Sequence, residues 1–271
     1  DAGQNAATFD ADAYRAWRSK VLQEQFTDHF DPAAVAGRDV LDFGCGEGDL
    51  SFVMAGLAPR SIRGVDVDPE RVASAQSRAR ELSSDPRPEF WCASSTTKID
   101  LPDDDVDLIL CFDVLEHVMD YEEIMREWGR VLRPGGKIFI WWVPWFHPYG
   151  PHIESLVPLP WAHTVFSDRA LIETCARIYD LPEHAPRVWD LDDQGAKKPN
   201  KWKSMKTLPG VNRLTMRRFE KLLRPSGLAI ARREGHGFQA GRFRGLKDTL
   251  ARLPLAREFF SSFVIYELTT A

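Results

Sequence analysis

Residues 40–50 read Val-Leu-Asp-Phe-Gly-Cys-Gly-Glu-Gly-Asp-Leu, and no other stretch narrows the possible folds as much. Val40 and Leu41 close a short apolar run of strand type. Gly44, Gly46 and Gly48 then alternate through a tight turn, and Ser51 to Leu57 resumes an apolar pattern of helical type. Strand, glycine turn and helix in that order present backbone N–H groups and a helix N-terminus to a nucleotide-like ligand. Glycine suits the turn because a side chain would hold the backbone off the ligand, and because some positions need φ > 0. The dinucleotide spacing G-x-G-x-x-G is absent; the glycines follow one another at every second position behind an acid, Asp42.

A βα rhythm continues from there. Ser61 to Asp68 reads as a second strand ending in acid, and Pro69 and Glu70 open a helix to about Leu82. Asp66 lies 22 residues after Gly44, where a carboxylate at a strand tip can accept from two ribose hydroxyls. Glu89 to Ser95 reads as a third strand running into a loop. Leu108 to Phe112 is continuously apolar, as a central parallel strand covered on both faces requires. A helix from about Tyr121 to Leu132 is expected to stop at the break Arg133-Pro134-Gly135-Gly136, with a fifth strand over Lys137–Val143. The alternation across 38–143 predicts a doubly wound α/β sheet with its ligand at the carboxyl ends of the strands.

Three segments together resemble the motifs of class I S-adenosylmethionine (SAM)-dependent methyltransferases: Asp-Phe-Gly-Cys-Gly-Glu-Gly at 42–48, Gly-Val-Asp-Val-Asp-Pro at 64–69 and Asp-Val-Leu-Glu-His-Val at 113–118. The resemblance covers 38–143 well and the end of the chain loosely. It implies a mostly parallel seven-stranded sheet with helices on both faces, completed by strands near Leu228–Arg232 and, antiparallel, Phe263–Leu268. It also implies a SAM site built from Asp42, Gly44, Cys45, Gly46, Gly48, Asp66, Val67, Ser94, Ser95 and Phe112. The amphipathic helical spacing over Phe9–Phe30 puts a helix ahead of the core, which in the family often covers the site; Tyr14 or Trp17 could do so, core packing being the other role. Many members of the family have an aspartate where Ser94 stands, so the adenine contact is where this chain departs from them. The expected organisation is a helical cover at 1–37, a SAM-binding core at 38–143, an inserted acceptor or lid segment at 144–212, and the rest of the sheet at 213–271. The insertion is rich in proline and aromatics, and Leu214–Leu223 should be helical.

SAM carries its methyl group on a sulfonium, so an enzyme of this kind mainly needs to position the acceptor. A hydroxyl acceptor gains from a base near neutral pKa, usually histidine. His147, His152 and His163 lie in the insertion and His117 follows the fourth strand; of these His152, His147 and His117 are the candidates for the base. The favoured expectation is O-methylation of a small molecule, such as a specialised metabolite or sugar-type hydroxyl, giving S-adenosylhomocysteine. Asp113, Glu116 and His117 stand at i, i+3 and i+4, one face of a helix. They resemble the acid-x-x-Glu-His cluster of metal-dependent relatives, but the same segment is common in metal-free ones. No metal is expected; a divalent ion on Asp113, Glu116, His117 and His152 is the alternative.

Charge is uneven. Residues 1–136 hold 14 Lys and Arg against 27 Asp and Glu, and residues 137–271 hold 21 against 13. A basic second half, with Lys197, Lys198, Lys201, Lys203 and Lys206 close together, allows an anionic lipid-linked or glycan acceptor as a second reading. A net charge of −5 and the lack of an aromatic–basic motif argue against nucleic acid. No apolar run is long enough to span a bilayer, though a basic amphipathic helix over 246–260 could touch a membrane surface. The four cysteines are scattered, as expected of free thiols in a cytoplasmic protein. A SAM-binding protein without catalysis, or a nicotinamide oxidoreductase, are the readings from other classes; the latter would want the missing G-x-G-x-x-G.

Overall fold

The computed structural model describes residues 11–82, 85–187, 190–192, 195–208, 211–237, 253 and 256–270. Its strands are β1 (Asp39–Phe43), β2 (Ser61–Asp66), β3 (Glu89–Cys92), β4 (Val106–Phe112), β5 (Leu132–Trp142), β6 (Leu228–Gly237) and β7 (Ser261–Thr270). They form one seven-stranded sheet in the order β3-β2-β1-β4-β5-β7-β6. The pairs among β1 to β5 are parallel, whereas β7 runs antiparallel between β5 and β6. This is the mixed sheet that the motif order implied, with β7 inserted as the single reversed strand.

Helix α1 (Ala11–His29) precedes the sheet, and α2 (Asp49–Ala55), α3 (Pro69–Glu81) and α4 (Tyr121–Val131) connect its strands, except that β3 runs into β4 with no helix between them, where the alternation expected across 38–143 fails. Asp68 caps α3 by accepting from the N–H groups of Glu70 and Arg71, with Pro69 in the first turn, where a missing N–H costs nothing. In β4 all residues but Asp107 are buried, because apolar layers cover both of its faces. On one face Leu41, Ile109, Cys111, Ile138 and Ile140 pack under Trp128 of α4 and Phe219 of α7 (Met216–Leu223). On the other, Val40, Leu108, Leu110 and Phe139 meet Leu22, Phe26 and Phe30 from the α1 side and Leu50 and Met54 of α2. Each such side chain contributes about 1.5–3 kcal/mol on burial.

Two elements differ from expectation. The Arg133–Gly136 break does not delay β5, which starts at Leu132 directly after α4. The ladder to β4 steps from Val106↔Leu132 to Leu108↔Lys137, so the four residues bulge outward within the strand. Arg133 there binds Asp39 at 2.8 Å and Asp107 at 3.1 Å, and the Gly135 N–H donates to Thr270 Oγ1. The helix expected from Leu214 begins at Met216 because Thr215 caps it. Most of the basic segment 246–260 lies outside the described residues, of which Arg257–Phe260 are helical.

Between β5 and α7 the insertion builds an apolar cluster of its own. Leu171, Ile172, Cys175 and Tyr179 of α6 (Asp168–Asp180; α5 is Ala162–Val165) pack on Ile153, Leu156 and Trp202. Its neck is narrow: the Trp145 N–H donates to the Leu214 carbonyl at 3.1 Å. Asn212 ties that neck to the turn after β4, donating through Nδ2 to the Leu115 and Val118 carbonyls, both at 2.7 Å.

Candidate active site

A cavity of about 390 Å³ opens at the carboxyl ends of β1, β2 and β4. Of the glycine turn Phe43 and Gly44 line it, whereas the expected Gly46 and Gly48 stand outside its lining. Gly44, Gly46 and Gly48 all have positive φ, between 53° and 82°, so the alternate spacing meets a backbone that L side chains resist. A Cβ on Gly44 would come within 2.4 Å of Val114 Cγ1, and one on Gly48 within 2.6 Å of the Phe90 ring. The turn is therefore packed closely against its own neighbours, with no room for a side chain at Gly44 or Gly48.

Asp66, at the tip of β2, lines the cavity and also braces it. Its Oδ2 accepts from the Gly46 N–H at 2.8 Å and its Oδ1 from the Asp68 N–H at 2.9 Å. Each oxygen keeps a lone pair for a further donor. Asp42 lies behind the turn, 2% exposed, and accepts from Ser51 Oγ at 2.7 Å. Burial pushes its carboxyl up to about 7. It supports the turn from beneath, joining β1 to α2.

The sequence-expected residues divide into those facing the cavity and those behind it. Gly44, Asp66, Val67, Ser95 and His117 line it, together with Asp113. Cys45 is buried behind the turn, in the cluster of Val72, Ala75 and Phe90, and burial raises its thiol pKa. Phe112 belongs to the core layer of Phe26 and Phe30, with its ring 5.4 Å from that of Phe30. Ser94 turns to Asp100, donating from Oγ at 2.7 Å and from its backbone N–H at 3.0 Å. Its neighbours Ser95 and Thr96 line the cavity in its place, opposite the exposed side chains of Val67 and Met119. Tyr14 lies in α1, but its side chain is outside the described residues.

Sequence reasoning missed Arg18. From α1 it reaches Asp113 Oδ2 at 3.2 Å, and Arg15 one turn earlier stands 3.8 Å from Glu47 in the glycine turn. The helix thus reaches the glycine turn and the cavity-lining Asp113 through cations. The only sequence signal was their i, i+3 spacing, which any solvated helix face shares.

Asp113, Glu116 and His117 do not share a helical face. Asp113 takes φ 55° and only a single 3-10 turn, Leu115–His117, follows. Among the described residues no three His, Cys, Asp or Glu side chains come together in a way that could hold a metal ion. Glu116 points inward, 3% exposed, with neither carboxyl oxygen hydrogen-bonded among the described residues. Burial, with nearby Asp113 second, pushes its carboxyl up to about 8. His152 of the insertion comes closest: its Nε2 is 3.9 Å from Glu116 Oε1, and its ring centre 5.6 Å from that of His117. Burial, then the neighbouring His117, lowers the His152 pKa, so the ring is neutral and able to accept a proton at pH 7. His147 is differently placed, its Nδ1 accepting from the Tyr149 N–H at 3.0 Å within its own turn, and burial takes it down to about 4. His163 is held to the Trp145 carbonyl, 2.9 Å from its Nε2.

Residues 41–140 match a family model described as a methyltransferase domain. Over 105 residues the chain is 41% identical to a Mycolicibacterium smegmatis protein named "Probable S-adenosylmethionine-dependent methyltransferase", covering 39% of this chain and 38% of that one. It is 32% identical over 143 residues to a ubiquinone biosynthesis O-methyltransferase of Pseudomonas putida, covering 49% of this chain and 60% of the relative. It therefore spans less than two thirds of the length of either curated relative. Among solved structures, a SAM-dependent methyltransferase from Mesorhizobium loti superimposes with a TM-score of 0.54 at 21% identity, over 95% of this chain and 99% of the other. That likeness is one of fold.

Proposed function

Since residues 41–140 are a class I S-adenosylmethionine-dependent methyltransferase domain, we propose that the chain transfers a methyl group to a hydroxyl of a small-molecule acceptor. The observation that carries this reading is one cavity lined both by a carboxylate suited to ribose hydroxyls, Asp66, and by His117, whose ring centre lies 5.6 Å from that of His152. The residues fit the cofactor: Gly44 with no side chain at the cavity wall, Asp66 with spare acceptor capacity, and a wall of Val67, Ser95 and Met119 for a flat base. SAM, when bound, supplies the activated methyl group. The chain's own part is to orient the acceptor, exclude water and take up the hydroxyl proton.

His152 is the residue we assign to that proton. It is neutral, half-exposed and brought by the insertion beside His117. His117 lies between it and the cavity and can pass the proton on. The O-methyltransferase relative favours a hydroxyl acceptor, and the aromatic insertion favours a planar one. The test is a panel of hydroxylated aromatic compounds assayed for S-adenosylhomocysteine release. His152→Ala should lower turnover about 100-fold, within the usual range for removing a general base, while SAM affinity stays within a factor of two. Unchanged turnover would exclude His152 as the base.

A further inference from the structure

The sheet has a second cavity, of about 130 Å³, at the amino ends of β1, β4 and β5, opposite the site described above. Ala34, Arg38, Asp107, Leu108 and Lys137 line it with the Pro134–Gly136 bulge. Val40, Leu108 and Lys137 stand across from one another in neighbouring strands, so their side chains leave the sheet on one face. Arg38, two residues before Val40, falls on that face too. The backbones of Arg38 and Lys137 are thus two strand spacings apart across the sheet and two residues apart along it, roughly 12 Å, and side chains of their length can close on one small ligand between them.

The charge balance of the lining is cationic: Arg38 and Lys137 stand against one acid, Asp107. The one acid lining the cavity is already engaged: Asp107 is bound by Arg60 at 2.9 Å, Arg133 at 3.1 Å and the Asp39 N–H at 2.9 Å. Asp39 is likewise bound by Arg60, Arg133 and Ser61. Arg60 and Arg133 therefore neutralise the two acids. Arg38 and Lys137 are left as two cations with no side-chain partner among the described residues.

We propose that this cavity binds a small tetrahedral dianion of the phosphate class, gripped between the guanidinium of Arg38 and the ammonium of Lys137. A guanidinium fork matches two oxyanion oxygens and an ammonium supplies a compact point charge. The volume admits a phosphoryl group and leaves any organic remainder outside, so free phosphate and a phosphorylated metabolite share this chemistry. Nothing in the proposal depends on which molecule is methylated.

The test is a titration of the full chain at pH 7.5 with inorganic phosphate, and separately with a phosphomonoester such as glycerol phosphate. Sodium chloride holds ionic strength constant, and binding is read by calorimetry and by the unfolding midpoint. Saturable binding is expected, at least tenfold weaker in Arg38→Ala/Lys137→Ala, whose two changed side chains are exposed and should not disturb folding. The SAM-induced rise in midpoint should be the same in both proteins, since SAM occupies the opposite end of the sheet. A tighter phosphomonoester identifies a phosphorylated metabolite as the source, and equal affinities identify phosphate itself. A phosphate effect no larger than that of chloride, or one undiminished in the double variant, would overturn the proposal.

Discussion

Asp66 joins two backbone segments before any ligand arrives, since one oxygen holds the Gly46 N–H and the other the Asp68 N–H. Hydrogen bonds to a charged acceptor contribute about 1.5–3 kcal/mol each. Asp66→Ala should therefore loosen the turn and weaken SAM binding at least tenfold by calorimetry; affinity within twofold of the parent would remove the residue from the site. Glu116 makes a different prediction, about pH. Its folded pKa of about 8 lies above the ordinary 4.5. The protonated form is thus favoured by folding, and that stability is full below pH 4.5 and gone once pH has risen through 8. Asp42, raised to about 7, acts in the same direction. Between about pH 5 and 8 the protein should therefore lose stability through both groups, the slope levelling off above pH 8. Glu116→Gln should flatten that decline in denaturant titrations, and an equally steep decline in the variant would refute the assignment.

At the scale of elements, the turn after β4 is held from outside itself. Asn212 donates to two of its carbonyls and accepts from the Leu214 N–H at 2.9 Å. Asn212→Ala leaves buried groups unsatisfied, at about 1–3 kcal/mol each. A fall in midpoint of about 5–10 °C should follow for a chain of this size, with weaker SAM binding because His117 and Val118 line the cavity. A midpoint within 1 °C of the parent would show that the clamp contributes nothing. Sequence could not have found this clamp, whose partners are 94 and 97 residues apart. The glycine turn and the tip of β2 were legible because their chemistry is local. Strand, turn and acid are fixed by backbone needs within a few residues. Asp113, Glu116 and His117 misled for the converse reason: helical spacing was assumed where Asp113 takes a left-handed backbone and only one 3-10 turn follows. The Arg133–Gly136 break was read as a loop because proline and glycine usually end structure, but distant Asp39, Asp107 and Thr270 keep it within a strand.

For the whole molecule, a parallel sheet covered on both faces followed from the apolar runs and their alternation, and the antiparallel last strand from the family resemblance; the place of β7 between β5 and β6 is seen only in the structure. The global test of the reading is ligand-linked stability. SAM at a hundredfold excess over its Kd should add about 2.7 kcal/mol, a midpoint rise of about 5–10 °C at this chain length. NAD should add none, and stabilisation by NAD without SAM would reverse the functional assignment.

The neck of the insertion has a further consequence. Trp145 and Leu214 are one backbone hydrogen bond apart, while the residues between them carry their own apolar cluster. Closing a longer or shorter loop on such a base costs only about 0.6 kcal/mol per doubling of its length. The segment can thus be traded like a cartridge: a different excursion grafted between those two residues would meet the same seven-stranded chassis, with the glycine turn and Asp66 unchanged.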